Sequence, residues 1–418
     1  MERGRMMGNR YGFAERIGGS DFGKKKEVFK FEKIKQAKRQ AKKENPNKLL
    51  IDMGVGEPDY PADAFVRQVL KEEVDKAANR FYADNGIMEY RIAAASYMEE
   101  VYGVSGLDPE TEICHGIGSK SILAMLPFAF IEPGDITLLT VPGYPILGTS
   151  TIYLGGEVFE LPLVIENEFL PDLDMIPVEI CKRSKLLYLN YPNNPTGAVA
   201  PYEFYEKVVA FASKYNIIVV NDAAYGAIVY GGRKPFSFLS VPGAKEIGVE
   251  IQSMSKAFCM TGWRLGFVAG NREIVQGFEM IKDNMDSGQF RAIQLAAAYA
   301  LKHPELTRIQ VERYERRMKA LVETLNEIGF DARVPAGTYY CYVKTPTSAK
   351  VKNGSRIYFE DAEEVATFLI EEAMVSVVPW TEAGDYLRFS VTYDAGEDTD
   401  YECMEELKRR LHKLQLKF

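Results

Sequence analysis

Ser253-Met254-Ser255-Lys256 is followed, eight residues beyond the lysine, by Arg264 and then Leu265-Gly266, in an otherwise apolar stretch. Lysine is the side chain that condenses with an aldehyde to form a Schiff base. It becomes nucleophilic when desolvation or a nearby cation lowers its pKa. Ser253 and Arg264 offer a hydroxyl and a guanidinium to a phosphate dianion, and bidentate geometry suits the arginine to that task. On its own, a lysine between small hydroxyl residues reads equally as a solvated turn residue.

Asn221-Asp222-Ala223-Ala224-Tyr225 ends the apolar run Ile217 to Val220. Asp222 is either a turn or capping residue, or a carboxylate at the carboxyl end of a sheet strand, where open α/β folds bind ligands. A buried carboxylate there keeps a pyridinium nitrogen protonated, and Tyr225 can hydrogen-bond a phenolic oxygen. Tyr191-Pro192-Asn193-Asn194-Pro195-Thr196-Gly197 also follows a predicted strand, with the punctuation of a tight turn. Of its two amides, Asn194 is the better candidate to donate to the same oxygen without adding charge.

Gly116-Ile117-Gly118-Ser119-Lys120 joins a short strand (Glu112 to His115) to a helix beginning near Lys120. Glycines, free amides and a helix start make an anion cradle. Ser121 stands where a dinucleotide fingerprint needs its third glycine, so a nicotinamide dehydrogenase is disfavoured. Lys120 opposes the helix dipole unless an anion, a phosphate or a substrate carboxylate, lies close. Tyr144 follows the strand Ile136 to Val141 and is either a core residue or a platform for a planar ring. Arg388, inside the apolar run Tyr386 to Ser390, either faces water on an edge strand or awaits an anion such as an α-carboxylate.

Positioning these residues requires strands that end together. Short apolar runs (Ile136 to Val141, Lys185 to Leu189, Ile217 to Asn221, Gly248 to Ser253) alternate with helical stretches such as Lys120 to Ile131 and Tyr202 to Tyr215. That alternation predicts an α/β fold, a mixed, mostly parallel sheet covered on both faces. Near residue 305 the pattern changes to a long charged helix (Leu306 to Ile328), strand character over Asp331 to Lys344, a helix over Glu360 to Glu372, a strand at Tyr386 to Thr392 and a last helix. The expected organisation is a docking segment over residues 1–60, a large domain over 61–304 and a smaller α+β domain over 305–418.

At 418 residues the chain exceeds one ordinary core, and a net charge of −8 argues against nucleic-acid or anionic-membrane binding. The basic segment Lys24 to Lys48 reads as a helix whose apolar residues (Val28, Phe29, Phe31, Ile34, Ala37, Ala41) leave a solvated charged face. Five scattered cysteines without a CxxC pair suit a reducing cytoplasm, and three distant histidines disfavour zinc or Ser-His-Asp chemistry. No segment has the apolar length of a membrane span or signal sequence. The predicted location is cytoplasmic, with no metal.

Taken in order, the Gly54-Val55-Gly56-Glu57-Pro58-Asp59 loop, the glycine turn, Tyr144, Asn194-Pro195-Thr196-Gly197, Asp222/Tyr225, Ser253-x-Ser-Lys256 with Arg264, and Arg388 resemble the fold-type I, class I/II aminotransferases. The resemblance implies the seven-stranded large domain of that family, pyridoxal 5'-phosphate, amino-acid and 2-oxo-acid substrates, and a homodimer. It implies Lys256 as Schiff base and catalytic base, Asp222 at the ring nitrogen, Tyr225 and Asn194 at the phenolic oxygen, and Tyr144 stacked on the ring. The phosphate would lie on Ser119 and Lys120 amides, Ser253 and Arg264. Arg388 would clamp the α-carboxylate, assisted by Asn194 and Gly56. Where the family has an inter-subunit phosphate tyrosine, this chain has Phe81, with Tyr82 one residue later and able to serve after a small shift.

Within that family the run Tyr11 to Ile17, the GSK turn and the VGEPD loop look most like LL-diaminopimelate aminotransferases of lysine biosynthesis, working by a ping-pong mechanism with 2-oxoglutarate. Asp84 is then the candidate for a distal ammonium, and Lys120, Gln289 and Arg291 for a distal carboxylate. Aspartate, alanine, methionine or aromatic donors, or a β-lyase reaction, would use the same cofactor residues. An effector-sensing regulator would need a DNA-binding domain for which the N-terminal residues offer no recognition helix.

Overall fold

The computed structural model describes residues 12–21, 30–351, 354–393 and 400–418. Tyr11, Val28 and Phe29 lie outside them, as does the side chain of Phe31.

Seven strands form the central sheet: β1 (Ile113–Gly116), β2 (Ile136–Val141), β3 (Glu157–Pro162), β4 (Ser184–Asn190), β5 (Ile218–Asp222), β6 (Gly248–Ser253) and β7 (Gly266–Gly270). Their spatial order is β1-β7-β6-β5-β4-β2-β3. β2 to β6 run parallel, while β7 is antiparallel to both β6 and β1. Side chains alternate between two cores. On β4, Leu187 and Leu189 join one apolar cluster while Leu186 and Tyr188 join the other. Both faces are therefore dry, which is why these strands read as continuous apolar runs rather than alternating ones.

This topology brings the functional segments together. The carboxyl ends of β1, β2, β4, β5 and β6 share one rim. Because β7 is reversed, its entry, with Arg264 just upstream, meets the same rim. Ligands bind at this rim in open α/β sheets.

The C-terminal part packs on a second core. Val378–Trp380, Tyr386–Ser390 and Tyr340–Lys344 form an antiparallel sheet against helices Glu305–Ile328 and Asp400–His412. The N-terminal helix Lys30–Glu44 adds Ile34 and Ala41 to that core, and the strand Ile51–Asp52 pairs in parallel with Val375–Ser376. From there the chain runs into the glycine loop over the rim. Asp59 ties that loop down, accepting 2.7 Å from Tyr314 and 2.8 Å from the buried Arg317, whose other side bonds Asp400.

Several element boundaries differ from the sequence reading. The helix over Lys120 to Ile131 runs from Ser119 to Met125 and tightens into a 3-10 turn around Pro127, which lacks the amide a regular helix needs. The strand expected from Asp331 begins only at Tyr340. Pro335 and Gly337 spend the preceding residues crossing the Asn193–Gly197 turn, where Gly337 N donates to Gly197 O at 3.0 Å. The helix expected at Glu360 starts at Ala362, capped by Asp361, and ends in a π-turn over Leu369–Ala373. Among the described residues, no helix is long and apolar enough to cross a membrane.

Candidate functional site

A cleft of about 540 Å³ lies where the rim meets the C-terminal sheet. The structure brings Gly56, Ser119, Lys120, Tyr144, Asn194 and Asp222 to its walls, together with Tyr225, Ser253, Lys256, Arg264 and Arg388.

Lys256 sits in a four-residue helical turn directly after β6, and Ser253 caps that turn by accepting from Ser255 N at 3.2 Å. The lysine amine donates to Gly56 O and stands 5.8 Å from the Tyr225 ring centroid. Enclosure by the cleft walls lowers its pKa, since burial disfavours the ammonium.

Asp222 ends β5 and is buried. Its carboxylate accepts from Ala224 N at 3.1 Å and from Tyr188 at 3.2 Å, while its backbone carbonyl accepts from Asn190 at 2.8 Å. Burial raises its pKa to about 6, and those two donors counter only part of that penalty. An acid so placed calls for a cationic or N–H partner from the cleft.

Asn194 is held by its own backbone N–H, which donates to Asn190 Oδ1 at 3.0 Å. The guanidinium of Arg388 donates 2.9 Å to Asn194 Oδ1 and 3.1 Å to Gly54 O, leaving its buried Nε without a partner among the described residues. Arg388 therefore faces the cleft from the C-terminal sheet and does not lie on a wet edge.

On the opposite side, Gly118 precedes the Ser119–Met125 helix with φ +75°, and a Cβ there would meet the Arg264 guanidinium at 2.3 Å. Arg264 has left-handed backbone (φ +59°) and donates 2.9 Å to Thr261 O. Free amides of Ser119 and Lys120, the Ser253 hydroxyl and this guanidinium compose an anion site.

Some expected residues are elsewhere. Asp84 is exposed, its carbonyl accepts from Lys282, and its side chain does not line the cleft of this chain. Tyr82 is 78 % exposed and Phe81 54 %, both outside the cleft. Gln289 is spent structurally, donating to the Trp263 and Arg264 carbonyls at 2.6 and 3.0 Å, and Arg291 donates 2.9 Å to Tyr82 O. Neither lines the cleft as a distal-carboxylate partner, because the backbone already holds them.

Sequence reasoning missed Tyr340, Glu57, Tyr188 and Asn190. Tyr340 is the most consequential: its hydroxyl lies 2.6 Å from that of Tyr225 and its ring 4.0 Å beneath the Arg388 guanidinium. Gly56 is glycine for this reason, since a Cβ there would stand 2.2 Å from the Tyr340 oxygen. The run Tyr339-Tyr340 carries no motif, so only the fold reveals it.

The profile of the family Aminotransferase class I and II matches residues 48–401. The LL-diaminopimelate aminotransferase of Methanocaldococcus jannaschii is 56% identical over 415 residues, covering 97% of this chain and 98% of the relative. Among solved structures, substrate-bound BacF from Bacillus subtilis superposes with a TM-score of 0.83 at 34% identity, covering 91% of this chain and 94% of that one. A probable N-succinyldiaminopimelate aminotransferase from Thermus thermophilus gives 0.82 at 30% identity, covering 92% and 100%.

Proposed function

Because the chain belongs to the class I and II aminotransferases, whose members are pyridoxal-phosphate-dependent enzymes, we propose that it exchanges an amino group between LL-diaminopimelate and 2-oxoglutarate. The observation that carries the substrate is the near-full-length similarity to a relative of that name.

The cleft fits the cofactor on its own terms. Gly118 leaves room against Arg264 that any side chain would fill, and the buried carboxylate of Asp222 has no countercharge among the described residues. Pyridoxal phosphate, when bound, supplies an aldehyde carbon and a ring that accepts the electron pair released at the substrate Cα. Ser119 and Lys120 amides, Ser253 and Arg264 hold the phosphate. Asp222 keeps the ring nitrogen protonated, Tyr144 covers the ring, and Tyr225 with Asn194 donates to the phenolic oxygen.

Lys256 would hold the aldehyde carbon covalently, the carbonyl oxygen leaving as water, and its lowered pKa favours the neutral nucleophile that this needs. Freed by the amino donor, the Lys256 Nζ would be the base that takes the proton from the substrate Cα and the acid that delivers it to the cofactor's former aldehyde carbon. Arg388 grips the α-carboxylate through its fork, and the Gly56 carbonyl orients the free lysine amine. The same residues act in reverse on the 2-oxo acid, giving ping-pong turnover. Lys120 and Glu57, both exposed at the cleft, remain available to the distal carboxylate and ammonium of the substrate. The chain works as a homodimer, in which Phe81, Tyr82 and Asp84 turn toward the partner copy, Tyr82 to its phosphate and Asp84 to its substrate.

The test is a donor screen with purified holoenzyme and 2-oxoglutarate, quantifying glutamate. LL-diaminopimelate is expected to exceed aspartate, alanine, methionine and aromatic donors. No glutamate from it, with glutamate from another donor, overturns the substrate. Pyruvate or ammonia release without glutamate overturns transamination itself.

A further inference from the structure

We propose that Tyr340 is a positioning residue whose hydroxyl donates to Tyr225, committing the Tyr225 proton to the phenolic oxygen of the bound cofactor. The inference rests on the pyridoxal-phosphate reading of the cleft.

Two buried hydroxyls 2.6 Å apart share one proton between them and have one left to donate. Both residues line the cleft. If Tyr225 donated to Tyr340, nothing would remain for a cofactor oxygen beside Tyr225. With an anionic oxygen in the cleft, the favourable order is Tyr340 to Tyr225 to that oxygen, each bond polarising the next.

The geometry keeps Tyr340 in this role. Its ring is fixed by the Arg388 guanidinium 4.0 Å above the centroid and by an edge contact to the Tyr225 ring at 5.6 Å. Its amide donates 3.2 Å to Thr338 Oγ1, and Gly56 leaves the space its oxygen occupies. A cation over the ring draws electron density from the phenol and makes its hydroxyl a stronger donor. Tyr225 is braced in turn by an edge contact to Tyr339 at 5.6 Å.

A stronger Tyr225 donor stabilises negative charge on the phenolic oxygen, loosening the proton that oxygen shares with the lysine-bound nitrogen. The experiment is a spectrophotometric pH titration of the visible band of the holoenzyme. Tyr340→Phe, which keeps the ring, is expected to move the midpoint up by roughly half a unit or more. A fluorinated tyrosine placed at 340, a more acidic donor, is expected to move it down. In a Tyr225→Phe background, Tyr340→Phe should add no further shift.

An unchanged or lowered midpoint in Tyr340→Phe overturns the inference, as does a full shift in the Tyr225→Phe background. If Tyr340→Phe fails to fold, the fluorotyrosine protein decides by the sign of its shift. A parent protein that shows no visible band with pyridoxal phosphate refutes the cofactor reading instead, so the two failures are distinct.

Discussion

The guanidinium of Arg388 donates to the side-chain oxygen of Asn194 across 2.9 Å. An arginine only donates, so the atom facing it is the amide oxygen. The NH₂ of Asn194 is thereby left for the cofactor oxygen, and one contact orients two binding groups. Asn194→Asp keeps the contact but puts a carboxylate in the arginine's fork, where it competes with the substrate. Its KM for amino donors should exceed that of Asn194→Ala by on the order of tenfold in steady-state kinetics. Equal KM values would mean that Arg388 does not hold the substrate carboxylate.

Lys256→Ala removes both the covalent anchor and the base beside Gly56 O. Turnover should fall by on the order of 10⁴-fold. Borohydride reduction followed by peptide mass spectrometry should tag Lys256 in the parent and no residue in the variant. A tag on another lysine would relocate the Schiff base.

Asp222 carries a pH signature. Its folded pKa of about 6 lies above the ordinary aspartate value of 3.8, so between those values the folded state holds a proton that the unfolded chain has lost. In the cofactor-free protein this group therefore lowers stability as pH rises from about 4 to about 6, and the loss persists above. The penalty is on the order of 3 kcal/mol. Cofactor-free Asp222→Asn should melt above the cofactor-free parent at pH 7 and converge with it near pH 4 in thermal denaturation. The loaded variant should lose at least about a hundredfold in kcat.

Gly118→Ala places a methyl against the Arg264 guanidinium at a backbone angle favouring glycine, φ +75°. The strain is of order 1–3 kcal/mol. Fluorescence titration of the cofactor-free variant should show pyridoxal phosphate binding weakened by roughly tenfold or more. Unchanged affinity would remove the glycine turn from the phosphate site.

What the sequence made legible was chemistry with local punctuation. Asp222, Asn194 and Lys256 each stand just past an apolar run, and a strand end is visible in one dimension. Asp84 and Gln289 are both substrate candidates in the sequence, yet Asp84 does not face the cleft of its own chain and Gln289 is spent on backbone carbonyls. Which face a loop presents is settled by packing at Lys282 and the Trp263 carbonyl, far away in sequence. Tyr340 was invisible for the same reason: a tyrosine in a strand becomes part of the site only when two lobes bring it to Tyr225. Asp331 to Thr338 has only Val334 and Thr338 as strand formers, and Pro335 and Gly337 carry it across the Asn193–Gly197 turn instead of into a ladder, so the strand begins at Tyr340.

Gln289 offers the last test because it acts on the cleft from outside. Its NH₂ is committed to the Trp263 and Arg264 carbonyls, so its oxygen faces His115 Nε2 at 3.1 Å. Burial holds the His115 pKa down at about 4, so at neutral pH the ring is uncharged and Nε2 carries its proton. The bracket steadies Arg264 in a left-handed backbone that an arginine adopts at a cost of about 1–2 kcal/mol. Gln289→Leu removes both carbonyl bonds and leaves the cleft walls intact. Affinity for pyridoxal phosphate should fall by about tenfold, while affinity for pyridoxal, which lacks the phosphate, should stay within about twofold. If both ligands weaken equally, Gln289 supports the cleft as a whole rather than the arginine that meets the phosphate.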